Sequence, residues 1–144
     1  HLENSPDYHR LTVRWLHMVE KNLNQVGSTL GESYVKKLEK AATLDAIISM
    51  PNLRYPIYGD SSDGTFKGIK NYEDFIDKKA GRAILQNEKE KSQLTFIAGY
   101  GTKGHKHYDD LSFIFYDGNQ ILFNDSGKYN YNKNDKLGSM LFHL

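Results

Sequence analysis

Two imidazoles stand two residues apart in Gly104-His105-Lys106-His107, ahead of Tyr108-Asp109-Asp110-Leu111-Ser112-Phe113, and Asn124-Asp125-Ser126-Gly127 follows further on. In an extended chain side chains at i and i+2 leave the same face, so His105 and His107 project together, about 6 to 7 Å apart. Asp125 lies on the next strand but one, carried back by a hairpin through Asp117-Gly118, and its carboxylate approaches the first segment. Two imidazoles and a carboxylate form a donor set suited to zinc, with His143 available as a third imidazole. The opposing reading is that these histidines are solvated in a Gly/Lys-rich turn and that Asp125 only opens a turn with Ser126-Gly127. Spacing alone leaves both readings open.

The elements that must position these residues are legible from periodicity. Ser5-Pro6 suits an N-cap followed by proline at the first helical position, and Leu11, Trp15, Met18 and Val19 follow with helical spacing, which predicts a helix to about Gln25. On that spacing Trp15 and its neighbours read as packing residues. Gly27, Ser28 and Gly31 break the pattern, and a second run with Tyr34, Leu38, Ala41, Ala42 and Ile48 continues until Pro51. A short Gly-containing turn between two amphipathic helices predicts an antiparallel pair. The loop Gly59-Asp60-Ser61-Ser62-Asp63-Gly64 reads as a solvated connector, with cation binding as the alternative. Asn71 is placed to cap a short helix carrying Tyr72, Phe75 and Ile76 that ends at Ala80-Gly81.

Beyond Gly81 the period changes to that of strands. Residues 82–86 and 93–98 alternate around a polar turn at 87–91, and residues 111–116 and 120–123 flank Asp117-Gly118-Asn119, a strong short hairpin signal. The chain is therefore expected to be α+β, with a helical part over 1–80 and an antiparallel β part over 81–144.

With 144 residues the chain is long enough for one modest core, or for the junction of two larger ones. Nineteen basic and 18 acidic residues leave a formal charge of +1, so no broad field draws nucleic acid or an anionic membrane. Any anionic substrate must be attracted locally. No cysteine is present, which removes disulfides and thiolate chemistry and leaves the redox compartment open. No apolar run approaches the roughly 20 residues that span a bilayer. The chain opens on His1, so the lack of a signal peptide is uninformative, and periplasmic, secreted and cytoplasmic locations all stay open, as does the oligomeric state.

Taken together, Glu3-x-Ser5-Pro6-x-Tyr8-His9, the Tyr58-Gly59-Asp60-Ser61 loop, His105-x-His107-x-Asp109-Asp110-Leu111-Ser112-Phe113 and Asp125-Ser126-Gly127-x-Tyr129 resemble the heparinase II/III-like family of polysaccharide lyases. The order of these pieces is the family's own. The resemblance implies the C-terminal helices of an (α/α) toroid followed by an antiparallel β-sheet, the beginning of a β-sandwich. It implies that Tyr8 exchanges protons at the cleavage site and that His105 is the catalytic histidine of the β domain. It also implies a structural zinc held by His107, Asp125 and His143, although Gly138 and Leu144 depart from the family's usual neighbours of that third ligand. Lys106 replaces a usually small residue and crowds the H-x-H segment. The family's asparagine that neutralises the substrate carboxylate lies upstream of this sequence, so a chain of this extent is expected to be inactive alone.

The implied reaction is β-elimination from an acidic, uronic-acid-containing polysaccharide. The C5 proton is removed, the C4 glycosidic oxygen leaves, and an enolate-like carboxylate must be stabilised. A tyrosine, ordinarily with a pKa of about 10, acts as an acid toward the leaving oxygen and as a base only where a cation favours phenolate. Tyr8 alone, or Tyr8 as acid with His105 as base, both satisfy these demands. A metal here orients His105 by tying strands together. Two other functions fit the same residues: a non-catalytic carbohydrate-binding or structural module of a polysaccharide-processing protein, holding sugars on aromatic residues such as Tyr129 and Tyr131, and a hydrolase using zinc directly.

Overall fold

The computed structural model describes residues 5–99 and 111–125. Helix α1 spans Pro6–Gln25 and α2 spans Glu32–Ile48. Gly27, with φ of 72°, ends α1 in a Schellman arrangement: Ser28 N donates to Leu23 O at 2.9 Å and Gly27 N to Asn24 O at 3.2 Å. Five strands follow: β1 Phe75–Asp77, β2 Arg82–Asn87, β3 Ser92–Ile97, β4 Ser112–Asp117 and β5 Gln120–Phe123. They form one antiparallel sheet in the order β1-β2-β3-β4-β5, so the chain is α+β.

Register explains how the sheet divides its two faces. The rows Phe75–Ile84–Thr95–Ile114 and Gln86–Gln93–Tyr116 face inward. There Ile84, Ile97, Ile114 and Tyr116 are buried with Ile47, Ile48, Met50, Tyr55 and Tyr58 from the end of α2 and the loop after it. The rows Ile76–Ala83–Phe96–Phe113 and Leu85–Leu94–Phe115–Phe123 face the other way. Much of this outer face is apolar and exposed, including Ile76, Leu85, Phe96, Phe113 and Phe123. A half-exposed apolar sheet face has the character of a surface that packs on a second layer.

The carbonyl end of α2 is fastened to the sheet by side chains. Gln93 Nε2 donates to Ile48 O at 3.1 Å, and Lys70 Nζ donates to Ile47 O at 2.8 Å and Asn71 O at 2.9 Å and also reaches Gln86 Oε1. These donors satisfy orphan helix carbonyls, and the ammonium complements the negative end of the helix. Burial lowers the Lys70 pKa from 10.5 to about 7. Between those two values the unfolded chain binds a proton that the folded chain does not, so stability rises with pH across the window from about 7 to 10.5. The thermal midpoint should increase as pH is raised from 7 toward 10, and this increment should be absent in Lys70→Met.

Three sequence expectations are corrected. The segment after Asn71 is strand, because Phe75 and Ile76 face opposite sides of the sheet and its polar groups pair sideways. Asp74 Oδ1 accepts Gln86 N at 2.7 Å, and Gln86 Nε2 donates to Glu73 O at 2.6 Å, replacing the i to i−4 bonds of a helix. The loop at 59–64 is solvated only in part: Ser62 and Asp63 are exposed, but Asp60 and Ser61 are each 2 % exposed beside fully buried Tyr58. Trp15 is 59 % exposed, with Leu11, Leu16, Met18 and Val19 exposed around it, so this face of α1 is not covered by the described residues.

Candidate active site

Tyr8 sits half-buried in the first turn of α1, and that turn is held from several directions. Ser5 occupies the N-cap position with extended backbone, but its hydroxyl makes no capping bond and instead pairs with the Ser61 hydroxyl at 2.9 Å in a buried contact. Asp7 lies in the first turn, where a carboxylate is favoured by the helix dipole. Its two oxygens accept from Ser62 N at 2.8 Å and from Arg10 Nη2 at 2.7 Å. Arg10 lies 5.1 Å above the centre of the Tyr55 ring and fills the space beside Gly64, where a Cβ would come within 2.0 Å of its guanidinium. The loop that looked like a connector is therefore the bed of the Tyr8 turn.

From the other side, His9 Nε2 lies 3.0 Å from Ala41 O on α2 and 3.7 Å from Asp45 Oδ1. A carbonyl oxygen only accepts, so Nε2 carries the proton. Burial pushes the Asp45 carboxyl above its ordinary value, against the opposing pull of His9, the Tyr55 hydroxyl bond and Arg10. Burial, and then the Asp45 charge and hydrogen bond, push the Tyr55 phenol well above its own. Among the described residues Asp45 Oδ1 has no hydrogen-bond partner, and the nearby His9 and Arg10 offset its burial.

A cleft of about 600 Å³ opens between α1, α2 and the β1–β2 edge, lined in part by His9, Thr12, Lys40, Thr43, Asp77 and Arg82. Thr12 stands one turn after Tyr8 and donates to Tyr8 O at 2.8 Å. Arg82, only 9 % exposed, donates from Nη1 to Tyr58 Oη at 2.6 Å and lies 6.0 Å over the Phe75 ring. The volume lies within the range of small-ligand sites.

Of the residues singled out in the sequence, Tyr8 and Asp125 fall among the described residues, whereas His105, His107 and His143 lie outside them, as do Tyr129 and Tyr131. Asp125 follows β5, and its Oδ2 accepts from Ser112 Oγ at 2.8 Å at the start of β4. That bond is supplied by the β4–β5 hairpin, whose Gly118 and Asn119 both have positive φ (55° and 66°), as a two-residue type I′ turn requires. No group of three or more metal-ligating side chains occurs among the described residues. Sequence reasoning missed Asp45, Tyr55 and the anchoring role of His9. The available signal was Asp45 itself, a carboxylate on the same helical stripe as Leu38, Ala41, Ala42 and Ile48.

Comparison with known proteins gives the chain a family and a fold. Residues 1–86 match the family model for the heparinase II/III N-terminus, and residues 75–140 match that for the heparinase II/III-like C-terminal region. Among solved structures, a heparinase III gene product with methylated lysines superposes with a TM-score of 0.83 at 18 % identity, over 97 % of this chain and 27 % of that one. Another structure of a heparinase III gene product gives 0.66 at 18 % identity, over 78 % of this chain and 22 % of that one. This chain thus spans about a quarter of the length of those structures, and at such identity the likeness is one of fold. No curated relative matches the chain. With the N-terminal family model covering more than half of its residues and the C-terminal model continuing from there, the chain belongs to the heparinase II/III-like family.

Proposed function

We propose that this chain is the part of a polysaccharide lyase that contributes the proton-transfer groups, cleaving a uronic-acid-containing polysaccharide by β-elimination. The observation that carries the reading is Tyr8 in a helical first turn pinned by Ser61, Ser62 and α2, within a sequence matching both halves of the family. A proton-transfer group must be held in place, and this turn is restrained on two sides. Tyr8 gives its phenolic proton to the glycosidic oxygen leaving C4. The C5 proton goes to the phenolate form of the same residue or to His105. The 600 Å³ cleft beside Thr12 gives a saccharide room next to that turn. The exposed apolar faces of α1 and of the sheet support placement at a junction, with α1 and α2 ending a toroid and the sheet from β1 onward beginning a sandwich.

The test is incubation of the full-length protein with a panel of uronate polymers. Elimination creates a C4–C5 double bond, and the products absorb in the ultraviolet. A panel that yields no such product removes the lyase reading.

Zinc belongs to the same proposal, held by His107, Asp125 and His143. Asp125 fits a ligand's role, since the Ser112 hydroxyl orients its carboxylate as an outer partner orients a metal-bound oxygen. The ion would tie strands together and so fix the segment carrying His105. Chelation of the full-length protein should lower the thermal midpoint, and Asp125→Ala should abolish that sensitivity. Metal analysis of both proteins checks the assignment.

A further inference from the structure

We infer that His9 is the positioning residue for Tyr8, its imidazole setting the rotation of the first turn of α1 and with it the direction of the phenol. The inference rests on the reading of Tyr8 as the proton-transfer group.

A helical first turn has no hydrogen bonds from its own leading N–H groups and is the part of a helix most easily frayed. Here Pro6 has no N–H to offer, and the Ser5 hydroxyl is committed to Ser61 instead of the helix. Restraint must come from side chains of the turn. Ser5 and Asp7 supply it from one direction, but both reach the 61–62 loop. His9 reaches the other way and grips α2, a helix whose far end is built into the core. Successive residues of a helix are about 100° apart, so fixing His9 against Ala41 and Ser5 and Asp7 against the loop leaves Tyr8 one direction.

The anchor is a specific bond. Nε2 donates to Ala41 O at 3.0 Å, a mid-helix carbonyl with a second lone pair available, and the Asp45 carboxyl lies 3.7 Å from the same nitrogen. The Tyr55 hydroxyl favours the charged form of Asp45, and Arg10 covers the Tyr55 ring. The chain of contacts returns to α1 through Arg10, which binds Asp7. Tyr8 therefore lies between two residues of a closed circuit joining α1, α2 and the loop.

A glutamine at position 9 can bring its amide N–H to about where Nε2 lies, whereas asparagine is one methylene too short. In the full-length protein His9→Ala and His9→Asn should lower kcat by about 100-fold, as expected for a displacement of about 1 Å of a reacting group, with a much smaller rise in KM because His9 also lines the cleft. His9→Gln should recover most of the loss. A second readout does not depend on turnover: 3-fluorotyrosine placed at position 8 should give one fluorine resonance in the parent and in His9→Gln, and broadened or multiple resonances in His9→Asn and His9→Ala. If His9→Ala fails to fold, the Asn against Gln comparison decides. A single unshifted resonance in His9→Asn, or a kcat equal to the parent's, overturns the inference. Should the parent show no lyase activity at all, the function reading fails while the fluorine spectra still decide whether His9 positions Tyr8.

Discussion

Tyr8→Phe should lower the turnover of a uronate polymer by the full-length protein by about 10³-fold, the usual scale for removing a general acid or base. KM should change little, because the lost hydroxyl acts at the transition state. The thermal midpoint should move by no more than the loss of about one hydrogen bond, roughly 1 kcal/mol. The expectation follows from position: Tyr8 stands in a turn whose backbone is set by Ser5, Asp7, His9 and Arg10. Measuring initial rates by ultraviolet absorbance, with circular dichroism on the same samples, separates lost chemistry from lost fold. A variant that keeps a tenth or more of the parent rate would remove Tyr8 from the reaction.

Gly81→Ala should destabilise the protein by on the order of 3 kcal/mol, with no direct effect on chemistry. Gly81 has a φ of 62° at the turn into β2, and its carbonyl accepts from Ala98 N at 2.7 Å. A Cβ there would lie 2.1 Å from Gly99 Cα and 2.5 Å from Ala98 O. Both obstacles are backbone, so no side chain can swing away to admit the methyl group. The left-handed conformation adds its own penalty. Chemical denaturation should show a lowered midpoint with an unchanged slope. A midpoint equal to the parent's would mean that the β2–β3 end does not pack as described. The site consequence is indirect, since Arg82, the residue after Gly81, lines the cleft and bonds Tyr58.

How far the sequence announced this structure depends on whether local pattern or tertiary contact governed each segment. Both long helices were legible, because Pro6 and Gly27 mark the limits of α1 and Pro51 follows α2 by three residues. The β2–β3 and β4–β5 hairpins were legible because their alternation and turn residues agree. The segment 71–77 was not: its Tyr72, Phe75 and Ile76 fit helical spacing, but Asp74 and Gln86 pair across to the sheet, which no local pattern reports. Nor did the Gly/Ser-rich composition at 59–64 disclose that Asp60 and Ser61 are buried, since the groups that pack on the loop, Ser5, Asp7 and Arg10, come from more than 50 residues earlier.

The candidate site divides along the same line. Tyr8 was singled out by resemblance, and its surroundings are now concrete: a helix start held by Ser61, Ser62 and Ala41. Periodicity had placed Ala41 and the following turn of α2 in the packing face, but gave no role to Asp45, whose buried carboxyl has meaning only beside His9 and Tyr55. Asp125 was chosen for its carboxylate, and the structure adds the Ser112 hydroxyl that orients it.

The most direct measurement of the central claim is a crystal structure of the full-length Tyr8→Phe protein with a uronate oligosaccharide bound. The substituted ring should lie in van der Waals contact, about 4 Å, with the C4–C5 edge of one sugar residue, and the His105 imidazole should face that same residue. A sugar bound elsewhere, or position 8 and His105 on opposite sides of the folded molecule, would contradict the account.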